Sequence, residues 1–222
     1  MTETPSIELA PWLPAVLPVD PAAAEQLREW LASEEYNLNG MGRDFRGSDL
    51  SGGDFSNCWF TDAVLVEVRL VGASFYRADL QSADLTGADL TAADLVKANL
   101  DEAVLRSAVL DGADMVGASL SDVDARGASF RGTRFVGAEL LNTDMRGSDL
   151  SDAVVEENYF EIEVDDTTVL RGLRGTVFGP ITVVGDGSSR EVGGAELEAW
   201  ISARGGQVQV IPPHRPAVGA AP

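Results

Sequence analysis

Few side chains in this sequence are of a type and spacing that could carry out chemistry. The 222 residues include one cysteine, Cys58, and one histidine, His214. This excludes most metal sites and leaves only the histidine of the Pro-rich tail for a histidine-based triad. Cys58 lies two residues before Phe60 in a regular apolar pattern, which predicts a buried and unreactive thiol. His214 lies between Pro213 and Arg215 in the Pro-rich tail, and a lone histidine in a flexible segment is not expected to act in catalysis. These residues predict a protein that is not an enzyme and uses no cofactor or metal.

Carboxylates are abundant, with 36 Asp and Glu against 16 Lys and Arg and a net charge of −20. They recur at regular intervals, so a pair of them does not single out a general acid and base. Glu161, Glu163, Asp165 and Asp166 could hold Ca²⁺ weakly, but they lack EF-hand spacing and a solvated surface is favoured. An enzyme would have to place its site in residues 164–222, where the composition changes.

The charge balance also restricts partners and location. Nucleic acids and anionic membrane surfaces are bound by Lys and Arg, so a net charge of −20 predicts no direct binding to either. The sequence has no run of about 18 apolar residues that could span a membrane. Residues 1–4 are acidic where a secretory signal would be positive, and no apolar segment follows them. We therefore expect a cytoplasmic protein.

The element that positions these side chains is a five-residue repeat. From Phe45 to Phe160 a large apolar residue recurs at every fifth position, and only Ala125 among these 24 positions is small. Two residues before each comes a second series, mostly alanine, and the residue between is usually aspartate, as in Ala-Asp-Leu at 83–85. A period of five fits neither a helix nor a strand, so another regular structure is required.

Four such pentapeptides can form the four sides of a 20-residue coil, and coils can stack at the strand spacing of about 4.8 Å. The large residue and the small residue before it then point inward, and the other three point outward. Leu85 and Leu105 should stack in one buried column. The aspartate is suited to accept hydrogen bonds from nearby backbone amides, and glycine to relax the corners.

These residues resemble the pentapeptide-repeat family, whose signature is a tandem A(D/N)LXX motif. The resemblance covers residues 43–157, a little over half of the sequence. It implies an all-β fold, a right-handed quadrilateral β-helix, and the 24 repeats correspond to about six coils. We call residues 41–163 the rod.

The segments before and after the rod have other compositions. Residues 1–40 are predicted to form an extended segment and an N-terminal α-helical cap, with Asp20 as N-cap and Pro21 as the first helical residue. Three apolar residues of this helix share one side and would lie on the first coil: Leu27, Trp30 and Leu31.

Residues 164–211 are predicted to form a small α/β segment, and residues 212–222 a disordered tail. The segment contains a strand at 176–184, a helix at 195–203 and a strand at 207–211. It can be a C-terminal cap, a dimerisation element or both. Three residues on one side of its helix are the candidate contacts: Leu197, Trp200 and Ile201.

Residues twenty apart should stack in columns, which divides the outward positions into sides of the rod. One column is basic, with Arg106, Arg126 and Arg146 beside Asp124 and Asp144, and we expect ion pairs there. A second side, called the acidic face below, contains carboxylates and no base: Asp62, Asp79, Asp101, Glu102, Asp122, Glu139 and Glu161. A third side presents a column called the apolar stripe: Tyr76, Val96, Val116 and Val136.

Each of these surfaces has two readings. Stacked like charges repel, so the acidic face serves either solubility or recognition, with carboxylates in the place of nucleic-acid phosphates. The apolar stripe is either a set of ordinary exposed apolar side chains or a band that docks on a partner or a second copy.

We predict a non-enzymatic protein–protein interaction scaffold built on the acidic rod. The resemblance implies an alternative, because some pentapeptide-repeat proteins protect or inhibit DNA gyrase by placing an acidic rod in its DNA-binding saddle, usually as dimers. This sequence departs from those proteins in having mostly leucine at the central position and no loop within the repeat. The expected partner is a protein, including DNA gyrase or another DNA-binding protein, and a homodimer is compatible with the C-terminal segment.

Overall fold

A computed structural model describes residues 12–33, 37–185 and 187–211. The predicted tail at 212–222 lies outside the described residues, as do residues 1–11. The helices and longer strands are, in chain order, α1 (Pro21–Ala32), β1 (Arg134–Val136), β2 (Glu139–Asp144), β3 (Val154–Val164), β4 (Arg174–Phe178), β5 (Ile181–Gly185), β6 (Ser188–Val192), α2 (Gly194–Ser202) and β7 (Gln207–Ile211). Neither of these helices is long and apolar enough to cross a membrane.

The repeat winds into a parallel β-helix with a 20-residue step. Single-residue parallel bridges join residues twenty apart from the Asn39–Trp59 pair to the Asp149–Val169 pair. Leu85 and Leu105 are both fully buried, and the Leu85 amide donates to the Val104 carbonyl across the step at 2.8 Å. The predicted stacking of residues twenty apart is therefore present in the structure.

Each corner of the coil is a tight turn whose geometry explains the repeat. In one of them the Ala63 amide donates to the Phe60 carbonyl at 2.9 Å. The aspartate of the motif acts as predicted: the Thr86 amide donates to the Asp84 carboxylate at 3.0 Å, and the Thr86 hydroxyl at 2.6 Å. The second residue after each large apolar position has a positive φ, as a turn of this shape requires.

Glycine occupies only eleven of the 24 positive-φ corner positions between residues 42 and 157. A side chain with a Cβ is strained there by about 1–2 kcal/mol. We expect Ala92→Gly to raise the free energy of unfolding by about 1 kcal/mol, because Ala92 has φ 57°. Gly112 has φ +68° and open space around a Cβ, so Gly112→Ala should lower stability by a similar amount. Urea denaturation measures both, and a loss of stability in Ala92→Gly would contradict the expectation.

The core of the rod is a continuous stack of leucine, phenylalanine and alanine side chains. Phenylalanines concentrate at its N-terminal end. The Phe55 and Phe75 rings stack with their centroids 5.4 Å apart, and Phe60 packs edge-on against Phe55 at 5.6 Å.

The N-terminal segment packs on this aromatic end. Asp20 accepts a hydrogen bond from the Ala23 amide at 2.8 Å, so it is the N-cap of α1 as predicted. Trp30 of α1 stacks on Phe55 with a centroid distance of 5.8 Å. Before the helix, the Trp12 ring packs edge-on against Phe55 at 5.5 Å, and its Nε1 donates to the Ser51 carbonyl at 2.9 Å.

The rod was predicted from the change of composition to end at residue 163, but the stacking of coils continues past this residue. β4 pairs in parallel with β3, and β7 pairs in parallel with β4. Arg174 pairs with Gln207, 33 residues later, because the β5–β6 hairpin and α2 are inserted in this turn of the helix. The predicted single strand at 176–184 is wrong, since Gly179 and Pro180 divide it into β4 and β5.

Helix α2 packs against the last coil. Leu197 and Ile201 are fully buried in the core of their own chain, and Trp200 is half-buried. The guanidinium of Arg204 lies 3.8 Å from the centroid of the Trp200 ring. Glu198 accepts a hydrogen bond from the Val210 amide at 2.8 Å and so ties the helix to β7.

Candidate interaction face

The structure brings all seven residues of the acidic face onto one side of the rod. A column of parallel pairs runs along this side through Trp59, Asp79, Asn99, Ser119, Glu139 and Tyr159. The other members lie in the corners that follow this column, at the first or second residue after positions 60, 100, 120 and 160. No Lys or Arg occupies an outward position on this side between residues 59 and 163.

Neutral groups orient these carboxylates. Asp79 accepts hydrogen bonds from the Thr61 hydroxyl at 3.1 Å and the Asn99 amide at 3.2 Å. Asp101 accepts one from the Ser119 hydroxyl at 2.5 Å. None of the seven acidic-face residues forms an ion pair with a described basic side chain. Hydrogen bonds therefore hold the carboxylates of Asp79 and Asp101 in place, and no ion pair with a described residue neutralises the charge of any of the seven.

The arginines of the neighbouring basic column form ion pairs with aspartates on the same side, as predicted. Arg106 and Arg126 both bind Asp124, at 2.6 and 2.7 Å. Asp144 binds Arg146 and lies 3.5 Å from Arg126. Hydrogen bonds from Arg126 and then Arg106 outweigh burial and hold the pKa of Asp124 well below its usual range.

This difference between the two sides predicts a difference in pH dependence. A lowered pKa in the folded state means that Asp124 stabilises the fold above its unfolded pKa of about 4, and that this contribution is lost as the pH falls through the folded value. Asp124→Asn should therefore lower the free energy of unfolding by about 1 kcal/mol at pH 7, with a smaller difference from wild type below about pH 4.

Asp122→Asn is the matched control, because Asp122 lies on the acidic face without an ion pair and its side chain contacts the Asn142 amide. We expect it to leave stability at pH 7 unchanged or slightly higher. Urea denaturation at pH 7 and pH 3 measures both variants. Equal losses in the two would show that the ion pairs do not stabilise the rod.

The four residues of the apolar stripe also fall in one column. The amides of Arg77 and Lys97 donate to the carbonyls of Val96 and Val116, at 3.0 and 2.9 Å, which places successive coils in register. All four side chains of the stripe are half-buried.

Two aromatic residues on the acidic face were not predicted from the sequence. Trp59 is 44% exposed and Tyr159 is 53% exposed, and the other aromatic side chains in the described ranges are buried or half-buried. Both stand immediately before an inward phenylalanine, at the outward position where the repeat usually has a small polar residue. That departure from the motif is the signal that could have identified them.

The thiol and the candidate calcium ligands have structural roles. Cys58 is fully buried and accepts a hydrogen bond from the Leu38 amide at 3.1 Å, and burial raises the pKa of the thiol to about 11. Asp165 accepts hydrogen bonds from the Thr167 amide and hydroxyl, and Asp166 pairs with Arg204 at 3.1 Å. Within residues 12–33, 37–185 and 187–211, no group of His, Cys, Asp and Glu side chains is arranged to hold a metal ion.

The family model for pentapeptide repeats matches the sequence in eight copies, at residues 44–81, 54–91, 83–122 and 113–152. The chain is a pentapeptide-repeat protein. Pentapeptide-repeat proteins form right-handed β-helices and are in general non-enzymatic structural or interaction proteins. No curated protein matches the chain.

Several solved pentapeptide-repeat structures are similar. HetL, a protein involved in the regulation of heterocyst differentiation in the cyanobacterium Nostoc sp. strain PCC 7120, is 21% identical over 68% of this chain and 84% of its own, with a TM-score of 0.51. A protein from the Arabidopsis thaliana thylakoid lumen is 39% identical over 41% of this chain and 63% of its own, with a TM-score of 0.41. QnrB1, a plasmid-mediated fluoroquinolone resistance protein, is 21% identical over 77% and 78%, with a TM-score of 0.44. The likeness to HetL shows the fold alone.

Proposed function

We propose that this pentapeptide-repeat protein is a cytoplasmic, non-enzymatic scaffold that binds a protein partner along the acidic face. One observation carries the proposal: seven carboxylates lie on one side of a rigid rod with no base among them. The adjacent side, in contrast, pairs its aspartates with arginines.

Electrostatics argues that this arrangement serves recognition. Neighbouring coils are about 4.8 Å apart, which is less than the Debye length of about 8 Å at physiological ionic strength. The carboxylates therefore repel one another and together produce a negative potential along the rod. A basic protein surface removes the repulsion when it binds, and long-range attraction speeds its association.

The spacing of the carboxylates favours a second candidate function, imitation of DNA. The column from Trp59 to Tyr159 spans five coil steps, which is about 24 Å. Seven carboxylates over this length give about one charge per 3–4 Å, close to the value of about 3.4 Å for one DNA strand. The partner would then be DNA gyrase or another DNA-binding protein.

We also infer that residues 164–211 cap the rod. The burial of Leu197 and Ile201 in the core of their own chain supports this role. A homodimer formed through α2 would have to use its outer surface, where the half-buried Trp200 and Arg204 are in contact.

Conservative charge removal tests the scaffold proposal. The triple variant Asp62→Asn, Glu102→Gln and Asp122→Asn removes three charges of the acidic face. Its control, Glu67→Gln, Asp152→Asn and Glu157→Gln, removes three charges from the other sides. All six residues are exposed and occupy the same positive-φ corner position, so both triple variants should fold alike.

Proteins captured on the immobilised wild type are identified and purified. Their affinity for the wild type and for both triple variants is then measured. We expect the acidic-face variant to weaken binding at least about tenfold and the control to leave it unchanged. Equal binding by both variants would overturn the scaffold proposal. A supercoiling assay with purified DNA gyrase, with and without a fluoroquinolone, tests DNA imitation. No change at micromolar protein would remove that candidate.

A further inference from the structure

Two exposed aromatic side chains mark the two ends of the acidic face. Trp59 and Tyr159 belong to one column, at the two ends of the stretch that contains the acidic face, and the pairs that link them pass through Asp79, Asn99, Ser119 and Glu139. Five coil steps separate the two residues, which is about 24 Å.

Tyr159 is held in place by the fold, because its ring lies against Phe178 with a centroid distance of 5.7 Å. Its outer surface and that of Trp59 remain accessible, at 53% and 44% exposure. Exposed Trp and Tyr are the residues that most often anchor a protein partner.

The aromatic rings and the carboxylates favour the same ligand chemistry. A ring face attracts a guanidinium or ammonium group within about 6 Å, most strongly on Trp. A carboxylate binds the same groups by charge-assisted hydrogen bonds, and arginine can use both. The face therefore presents cation-binding groups along its whole length, with Asp79, Asp101 and Asp122 between the two rings.

We propose that the acidic face is a docking track for an extended polypeptide segment rich in Arg and Lys, with cationic side chains stacked on Trp59 and Tyr159 at its two ends. A run of like charges repels itself and is extended in solution. At about 3.3–3.6 Å per residue, about seven residues cover the distance between the rings. The proposal rests on the proposed scaffold function and specifies its ligand.

Labelled arginine peptides of three, five, seven and nine residues serve as the probe, and fluorescence anisotropy with the full-length protein measures their affinity. We expect affinity to rise steeply up to seven residues and little from seven to nine. The double variant Trp59→Ala and Tyr159→Ala should weaken binding of the seven-residue peptide about 5- to 30-fold. Trp59→Phe with Tyr159→Phe should retain most of the affinity.

Leu13→Ala with Val169→Ala is the matched control, since both residues are exposed apolar side chains away from the acidic face. It should bind the peptide as wild type does. The acidic-face triple variant, Asp62→Asn, Glu102→Gln and Asp122→Asn, is measured beside it to separate the two proposals.

If the triple variant weakens binding and the aromatic double variant does not, the docking track is overturned and the scaffold function stands. If neither variant changes binding, both fall. Spermine is tested as a competitor of the labelled peptide. If spermine binds as tightly as an arginine peptide of equal charge, and loses affinity to the same extent in the aromatic double variant, the polypeptide is overturned as the specific ligand. A continued steep rise from seven to nine residues would overturn the proposed span.

Discussion

Phe55→Ala is expected to lower the free energy of unfolding by about 3–5 kcal/mol, the usual cost of removing a buried phenylalanine. Phe55 is fully buried at the N-terminal end of the rod. Its ring contacts four others, those of Trp12, Trp30, Phe60 and Phe75, at centroid distances of 5.4–5.8 Å. The substitution therefore removes core packing and the surface on which the N-terminal segment rests.

Urea denaturation followed by circular dichroism and by tryptophan fluorescence measures the effect. Phe130→Ala is the control, because Phe130 is also fully buried but has one ring partner, Phe135, at 5.5 Å. Both variants should lose stability, but only Phe55→Ala should shift the native tryptophan fluorescence to longer wavelength. Unchanged native fluorescence in Phe55→Ala would show that Trp12 and Trp30 do not depend on this ring.

Gly175→Ala is expected to have a similarly large effect through the backbone. Gly175 has φ +127°, and a Cβ there would lie 1.7 Å from the Val155 carbonyl oxygen. That oxygen belongs to β3, which pairs with β4 at this point, so neither atom can move without opening the pairing. We expect a loss of about 3 kcal/mol or more.

Opening of this pairing should expose the C-terminal segment. Trypsin is expected to cleave Gly175→Ala after Arg171 and Arg174 under conditions where the wild type resists. Gly112→Ala is the control, since it adds a Cβ at positive φ without a clash and should lose only about 1 kcal/mol. A Gly175→Ala variant with the stability and protease resistance of that control would contradict the steric argument.

The sequence predicted the coil because the large inward position of each repeat is almost always apolar and the spacing of these positions is constant. Leu85 and Leu105 stack as the five-residue period requires. Asp20 was recognisable as an N-cap because its role depends on residues two or three positions away. These features follow from local rules that one sequence displays.

The end of the rod did not follow from the same rule. In β3 the buried residues alternate through Asn158, Phe160, Ile162 and Val164, so the period changes from five to two while the chain still pairs with β2. In the sequence, this change of period has the same appearance as the end of the repeat. The pairing of Arg174 with Gln207 is a long-range contact that no local pattern specifies.

The acidic face was only partly predictable for a related reason. Its carboxylates could be assigned to one side because residues twenty apart stack, and the absence of bases is visible in the sequence. Trp59 and Tyr159 stand at outward positions that the core does not constrain. Their exposure depends on what the neighbouring coils place around them, which the structure provides.

Because the step is always 20 residues, the length of the rod can change only by whole coils. Deleting residues 84–103 would join two equivalent points of adjacent coils and keep the five-residue spacing of the inward positions unbroken, since Leu85 and Leu105 occupy equivalent positions of one column. Trp59 and Tyr159 would then lie closer together by one coil step, about 4.8 Å. The reach of the protein between two anchoring points can thus be lengthened or shortened in whole coils, while the chemistry at each end stays the same.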